Sequence, residues 1–194
     1  MKKIVLLAML VLVLGQTKAQ AYEWKIDQVH SNFYFDIKHI FATVRGQFAE
    51  FSGKVFFDPD KLAQSKFDFV VKVDSINTNV GKRDTHLRSD DFFSAAKYPE
   101  IRFASSKVTH AGANKYLVNG RLTIKDVSKD ITLEFIYLGE KGNPLKPGEL
   151  VAGLDARQTI DCLAYHVGDG KFYKMGAVGK DVDILITLEL LREK

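Results

Sequence analysis

A strict alternation of apolar and polar residues recurs along most of this 194-residue chain, and it constrains the fold more than any other feature. In residues 65–74, for example, Phe67, Phe69, Val71 and Val73 are separated by single residues that are mostly charged. Side chains of an extended strand point alternately to opposite faces, so each such run predicts a strand with one buried and one solvent-facing side. A parallel α/β sheet is excluded, because its strands are apolar on both faces.

Equivalent runs and short apolar segments predict about eight or nine strands. They occupy residues 32–39, 54–57, 65–74, 101–108, 116–124, 131–137, 150–160 and 182–190. The connections are short and rich in Asp, Asn, Gly and Pro, which favours an antiparallel barrel or sandwich. Many of the 14 phenylalanines fall on the inward faces. Because an eight-stranded barrel has room for side chains or one small ligand, these rings either fill a core or line a cavity.

One segment interrupts the strands and has helical character. In this lid segment, residues 81–97, we expect Leu87, Phe92 and Phe93 to turn toward the interior, and Pro99 ends the excursion before the next strand. The lid segment also carries a polar cluster, which consists of Arg83, Asp84, His86, Arg88, Asp90 and Asp91. The cluster is either a polar clamp for a phosphate or quinone oxygen or a hydrogen-bond network that anchors the segment on the barrel rim.

The N-terminus has the pattern of a secretory signal peptide. Residues 1–21 contain a basic start, an apolar run of about a dozen residues and the small-residue site Ala19-Gln20-Ala21. That run is too short to span a bilayer, so we expect residues 22–194 to form one exported, periplasmic domain without an integral membrane segment. Removing residues 1–21 deletes three lysines and no acid, and the formal charge falls from +4 to +1. This balance gives no electrostatic reason to expect nucleic acid or an anionic membrane surface as a partner.

Catalytic motifs are weak in this sequence. Cys162 and His166 could form a thiol–base pair, but an isolated cysteine in a β-protein is more often a small buried apolar residue. Residues 168–180 are rich in glycine but lack the spacing of a phosphate-binding loop.

Candidate metal ligands are also sparse. Asp84 and His86 could ligate from one extended segment, and His30 could join His39 across strands, but none has the spacing of an established metal motif. We therefore predict no metal, no cofactor and no catalytic residue.

Several short motifs in the order in which they occur resemble the YceI family of lipocalin-like, polyisoprenoid-binding proteins. They are Trp24-x-Ile26-Asp27-x-x-His30-Ser31, Gly46-x-Phe48-x-x-Phe51-x-Gly53, Arg83-Asp84-x-His86-Leu87-Arg88-Ser89-x-Asp91-Phe92-Phe93, Tyr98-Pro99-x-Ile101-x-Phe103 and Val118-x-Gly120-x-Leu122-Thr123-Ile124. The resemblance implies an extended eight-stranded antiparallel barrel that holds a long amphiphile such as an isoprenoid quinone or polyprenyl lipid. One departure concerns the ligand: where the family tends to show Arg-x-Asp-Phe/Tyr-Gly, this chain has Cys162-Leu163-Ala164-Tyr165-His166.

The resulting hypothesis is an all-β, eight-stranded lipocalin-like barrel with one short helical lid. It binds, transports or stores a long amphiphilic lipid, which is an isoprenoid quinone, a polyprenyl lipid or a fatty-acid derivative, without catalysis. The expected apolar channel consists of Phe33, Phe35, Ile37, Phe67, Phe69, Val71, Val73, Leu87, Phe92, Phe93 and Phe103. The expected polar end or lid anchor consists of Arg83, Asp84, His86 and Arg88. Two alternatives remain open: an enzyme acting on a lipid or quinone through His86 or Cys162, and a protein-interaction module with a filled core. A homodimer is also possible.

Overall fold

The structure, a computed structural model, describes residues 20–194. The predicted signal peptide therefore lies, except for its last residues, outside the described part of the chain. Eleven strands account for most of the fold, and their bounds are β1 (Glu23–Ile26), β2 (Asn32–His39), β3 (Ala42–Phe48), β4 (Phe51–Phe56), β5 (Lys66–Lys72), β6 (Ile76–Asn77), β7 (Glu100–His110), β8 (Lys115–Ile124), β9 (Val127–Gly142), β10 (Glu149–Asp161) and β11 (Val178–Glu193).

The strands form a closed antiparallel barrel with eight strand positions. Pairing runs β1-β4-β5-β7-β8-β9-β10-β11, and β1 pairs again with β11 to close the ring. Along the same edge of β11, Ile26 of β1 faces Leu190 and Asn32 of β2 faces Thr187. β1 and β2 are therefore two parts of one interrupted strand. In the same way, β3 and β4 occupy one strand position, and so do β5 and β6. The expected fold class is confirmed.

An aromatic cluster closes one end of the barrel, called here the far end. The Phe57 ring has edge-to-face contacts with Tyr116, Phe135 and Tyr137 at centroid distances of 5.2–5.5 Å. The indole N–H of Trp24 donates a 2.9 Å hydrogen bond to the Phe57 carbonyl, so its one polar atom is satisfied inside the core. This half of the barrel is therefore filled by buried, mostly aromatic side chains.

The opposite end, called here the lid end, carries two helices. α1 (Gly81–Arg88) is the helix expected in the lid segment, but it ends at Arg88, and the rest of the segment is a series of turns. The N-cap of α1 is Val80, without a side-chain hydrogen bond. The second helix, α2 (Lys171–Lys174), is a single turn that the sequence did not predict. No helix within residues 20–194 is both long enough and apolar enough to cross a membrane.

Substituting Phe57→Ala should lower the free energy of unfolding by about 3–5 kcal/mol, because Phe57 is 1% exposed and lies at the centre of the aromatic cluster. The matched control is Phe41→Ala at a residue that is 98% exposed, which should change stability by less than about 0.5 kcal/mol. Chemical denaturation of both variants measures the difference. Equal effects of the two substitutions would contradict the far-end core.

Candidate functional site

The lid-end half of the barrel contains a cavity of about 520 Å³. Its walls are almost entirely apolar side chains from β2, β3, β5 and β7–β11, covered by the lid segment and by the β10–β11 loop (residues 162–177). The exposed lining residues mark where the cavity reaches the surface, and they are His39, His86, Asp169, Tyr173 and Met175. The cavity volume lies within the range of about 300–1,000 Å³ that is usual for small-molecule sites.

Most of the expected channel residues surround this cavity. Those that line it are Phe33, Phe35, Ile37, Phe69, Val71, Leu87, Phe92, Phe93 and Phe103. Arg83 and His86, from the expected polar end, also lie in its wall. The structure therefore brings together residues from β2, β5, β7 and the lid segment that are far apart in the chain.

Two expected channel residues lie elsewhere. Phe67 is deeper in the barrel, where its ring packs 5.0 Å from Phe135 in the far-end aromatic core. Val73 follows the last residue of β5 and begins a 3-10 turn, Val73–Ser75, in which the two-residue alternation no longer applies. Its side chain is 1% exposed and is core rather than cavity wall.

Asp84 and Arg88 hold the lid segment rather than facing the cavity. The buried Asp84 carboxylate accepts hydrogen bonds from the Thr78 backbone N–H at 2.9 Å and from the Thr78 hydroxyl at 2.5 Å. The Arg88 guanidinium donates to the backbone carbonyls of Asp74 and Ile76. These contacts fit the lid-anchor interpretation of the polar cluster, since both side chains satisfy backbone or neighbouring groups at the barrel rim.

Arg83 and His86 have partners within the lid segment but remain at the cavity wall. Arg83 Nε and Nη2 donate to the hydroxyl and carbonyl oxygens of Thr78 at 2.7 and 2.8 Å. A guanidinium has five N–H donors, so further donors are available to a ligand. His86 Nε2 lies 3.0 Å from an Asp91 carboxylate oxygen, and its ring meets the Phe92 ring edge-to-face at 4.9 Å.

Lys125, in the β8–β9 turn, joins the lid segment to the β10–β11 loop. Its ammonium donates to the Phe92 carbonyl at 2.6 Å and to the His166 carbonyl at 2.5 Å. Phe92 also stacks on Phe172 of α2, with ring centroids 6.0 Å apart. Sequence reasoning missed these contacts, because a lysine in a turn and a phenylalanine in a glycine-rich loop show no pattern that connects them.

Glycines opposite phenylalanines shape the cavity wall. Phe35 pairs with Gly46 across β2 and β3, and a Cβ atom at Gly46 would collide with the Phe35 ring. Phe69 pairs with Gly53 across β4 and β5, where a Cβ atom would lie 2.7 Å from the Phe69 ring. Glycine at these positions therefore allows each ring to approach the backbone of the neighbouring strand closely.

The floor of the cavity contains Phe69 and Phe103. Their rings are stacked 6.5 Å apart at an interplanar angle of 22°. Both residues also line a second, smaller void of about 30 Å³ that extends toward Phe67 and Leu188. The two rings thus separate the main cavity from the space above the aromatic core.

Cys162 lines the cavity as an apolar side chain. Burial raises the pKa of its thiol to about 11, so the sulfur is protonated at neutral pH and is a poor nucleophile. His166 Nδ1 instead faces the Asp126 carboxylate at 3.1–3.2 Å. The geometry therefore gives no support to a thiol-hydrolase mechanism.

One group of residues in the described part of the chain, 20–194, could hold a metal ion. Asp27, His30 and Glu189 lie where the interruption between β1 and β2 faces β11, and their candidate ligand atoms are within 4.8 Å of one another. His30 Nδ1 lies 2.9 Å from Asp27 and 3.6 Å from Glu189, so an ion pair already explains the arrangement. Asp84 and His86 do not converge on a common point, because Asp84 contacts Thr78 and His86 contacts Asp91. His39 ends β2, whereas His30 precedes the start of that strand, so these two histidines lie at its opposite ends.

A closed antiparallel barrel with a lidded apolar cavity at one end defines a lipocalin-like hollow barrel. The sequence model of the YceI-like domain matches residues 24–190. A UPF0312 protein of Photorhabdus laumondii is 34% identical over 186 residues, which cover 94% of this chain and 93% of that protein. The chain therefore belongs to the YceI family.

Solved structures agree with this fold. The crystal structure of Burkholderia cenocepacia BcnA is 27% identical, with a TM-score of 0.75 over 87% of this chain and 99% of that chain. A polyisoprenoid binding domain from Saccharophagus degradans, implicated in plant cell wall breakdown, is 15% identical and has a TM-score of 0.63 over 88% of this chain and 98% of its own. At that identity the second likeness concerns the fold alone.

The Asp27–His30 pair should make stability depend on pH. The hydrogen bond to His30 lowers the pKa of Asp27 below 3.8, so its stabilising effect is present above pH 3.8 and is lost as pH falls through the lowered pKa. The hydrogen bond to Asp27 raises the pKa of His30 above 6.5, so its effect is present below pH 6.5 and is lost as pH rises through the raised pKa. Both residues therefore contribute fully to the stability of the fold between pH 3.8 and 6.5.

NMR titration of His30 tests this pair directly. We expect a titration midpoint above 6.5 in metal-free buffer, and Asp27→Asn should bring it down toward that value. Asp60→Asn, a change to an exposed carboxylate in another turn, is the control and should leave the midpoint unchanged. A midpoint at or below 6.5 in the unmodified protein would contradict the ion pair.

Proposed function

We propose that this protein binds a long amphiphilic lipid, such as an isoprenoid quinone, a polyprenyl lipid or a fatty-acid derivative, and carries or stores it without catalysis after export to the periplasm. The observation that carries the proposal is the apolar cavity of about 520 Å³ beneath the lid segment. A filled core would be expected of a pure interaction module, and the lid-end half is not filled.

The energetics of an apolar chain suit such a site. Burying one methylene group contributes about 0.8 kcal/mol, so a chain of many methylene and methyl groups can bind tightly with little polar recognition. Such a chain would cover the apolar walls of the cavity, and because it binds only the folded protein it would also stabilise the fold.

Polar groups at the lid end are suited to the head group of such a lipid. Arg83 has donors left after its contacts with Thr78, and His86 lies beside it in the cavity wall. We propose that these two residues meet a quinone or phosphate oxygen, while the apolar chain extends toward Phe69 and Phe103. The likeness in fold to a domain from Saccharophagus degradans that is described as polyisoprenoid binding supports a ligand of this class.

Native mass spectrometry of the exported protein, followed by organic extraction, tests the proposal. We expect a mass above that of the polypeptide and an extract that contains a long-chain isoprenoid or a related lipid. A protein with the bare polypeptide mass, unchanged after incubation with quinones and polyprenyl phosphates, would refute it.

Filling the cavity should displace the lipid without changing the fold. Ile101 lines the cavity, whereas its neighbour Arg102 points outward with a side chain that is 61% exposed. We expect Ile101→Trp to weaken lipid retention at least about tenfold, since the indole takes the space of several methylene groups. Arg102→Trp is the matched control and should retain lipid. Equal lipid content in both folded variants, measured by mass spectrometry, would contradict the assignment of the cavity.

The cavity floor should limit chain length. Phe69→Ala removes one of the two rings that separate the main cavity from the smaller void below, so the variant should retain longer isoprenoid chains than the unmodified protein. Phe69→Asp should instead abolish retention, because a carboxylate among apolar side chains opposes a hydrocarbon. Competition between isoprenoids of different length, read by mass spectrometry, measures both effects. Unchanged length preference in Phe69→Ala would show that the floor lies elsewhere.

A further inference from the structure

At the lid end, the hairpin between β2 and β3 exposes two large apolar side chains. His39 pairs with Ala42, so Ile40 and Phe41 form a two-residue hairpin loop. Phe41 is 98% exposed and Ile40 is 59% exposed. Loops of this length normally carry Gly, Asn or Asp, which accept the backbone conformations that the turn requires.

The conformation of Ile40 makes its presence harder to explain by folding alone. Its φ is +52°, in the left-handed region. A β-branched side chain is an outlier there, because its Cβ substituents crowd the backbone. Asn or Gly would fit this turn better, so local stability does not account for the residue. An exposed apolar residue kept in a strained position is a reason to look for something that it contacts.

This hairpin continues into the mouth of the cavity. The Ile40 N–H donates a 3.0 Å hydrogen bond to the Ala177 carbonyl at the end of the β10–β11 loop. That loop exposes Tyr173 and Met175, which are 47% and 68% exposed and also line the cavity. We call Ile40, Phe41, Tyr173 and Met175 the apolar tip. Exposed apolar side chains are therefore found on both of these hydrogen-bonded loops, and those of the β10–β11 loop reach the cavity.

Positive charges flank the apolar tip. Lys38 precedes the hairpin loop, and Lys171 and Lys174 belong to α2. None of these three lysines takes part in the ion pairs found within residues 20–194. The Lys38 ammonium donates instead to the Thr43 hydroxyl across the hairpin at 2.7 Å.

Carboxylates close to these lysines in the chain contact other groups, and Asp36, two residues before Lys38, pairs with Arg45. Asp161 and Asp181 both pair with Lys180, each at 2.9 Å. Asp169 accepts a 2.8 Å hydrogen bond from the Lys171 backbone N–H. Although the formal charge of residues 22–194 is near neutral, Lys38, Lys171 and Lys174 are thus outside ion pairs and close in the chain to exposed apolar side chains.

We propose that the apolar tip docks on a bilayer containing anionic phospholipids, with Phe41 and Ile40 inserted among the lipid chains and the lysines at the head groups. Apolar side chains with neighbouring lysines are the combination that binds such interfaces. Docking would place the cavity mouth against the bilayer, so that a lipid could enter or leave without crossing water. This purpose rests on the proposed lipid-binding function, whereas the docking itself does not.

Fluorescence provides the first test. The chain contains one tryptophan, Trp24, which is 3% exposed at the far end of the barrel. In a Phe41→Trp variant, the emission maximum of the added indole should shift to shorter wavelength when vesicles of phosphatidylethanolamine and phosphatidylglycerol are added. Brominated lipids in the vesicles should quench this emission. Emission that stays unchanged at every vesicle concentration would overturn the proposal.

Vesicle flotation with matched variants provides the second test. Ile40→Asn combined with Phe41→Ser should fold at least as well as the unmodified protein, because Asn suits the left-handed position, yet bind vesicles at least about tenfold more weakly. Leu145→Ser is the control: Leu145 is 92% exposed, but it lies in the far-end turn between β9 and β10. We expect this variant to bind vesicles as the unmodified protein does.

The outcomes separate docking from lipid binding. The double variant should keep its extractable lipid while exchanging it with vesicles more slowly. Equal vesicle binding by the double variant and the unmodified protein would overturn docking through this tip, whatever lipid is extracted. A dimer in solution that the double variant abolishes, without any vesicle binding, would assign the tip to a second copy of the chain and would also overturn the proposal.

Discussion

The barrel depends on β11, which pairs along its length with β10 on one side and with β2 and then β1 on the other. Because β1 and β2 share one edge of β11, the first and last parts of the chain close the ring of strands together. Closure satisfies backbone hydrogen bonds at both edges of β11 and separates an interior from solvent. A cavity inside a sheet of this size is possible only once that ring is closed.

Closure leaves two halves with different packing. At the far end, Trp24, Phe57 and the rings around them form a buried aromatic core. At the lid end, phenylalanines such as Phe33, Phe35 and Phe93 line the cavity instead. The same residue type therefore fills one half and lines the other. The solid half stabilises the fold that holds the hollow half open.

Alternation predicted most of the strands and much of the cavity wall, although β3 (Ala42–Phe48) was not among the predicted runs. Phe33, Phe35 and Ile37 in β2, and Phe69 and Val71 in β5, follow from the two-residue period and line the cavity as their positions suggested. Depth along the barrel does not follow from that period. Phe67 points to the same face of β5 as Phe69, but its ring lies among the far-end rings. The position of a side chain along the barrel depends on how neighbouring strands are staggered.

Contacts between distant segments were beyond sequence reasoning. The bridge from Lys125 to the carbonyls of Phe92 and His166 joins three loops whose proximity exists only in the closed barrel. Val73 was predicted to lie in a strand, because the alternation does not indicate the 3-10 turn that follows β5. The lid segment was recognisable as an interruption, but the role of Asp84 became clear only from its contact with Thr78.

The central claim is that the lid-end cavity holds a lipid chain. A crystal structure of the exported protein, purified without added lipid or detergent, tests it most directly. We predict continuous, unbranched or regularly branched density that runs from the vicinity of Arg83 and His86 to the Phe69–Phe103 floor. A cavity filled by ordered water, or one that has collapsed so that the phenylalanine rings meet across it, would contradict the account.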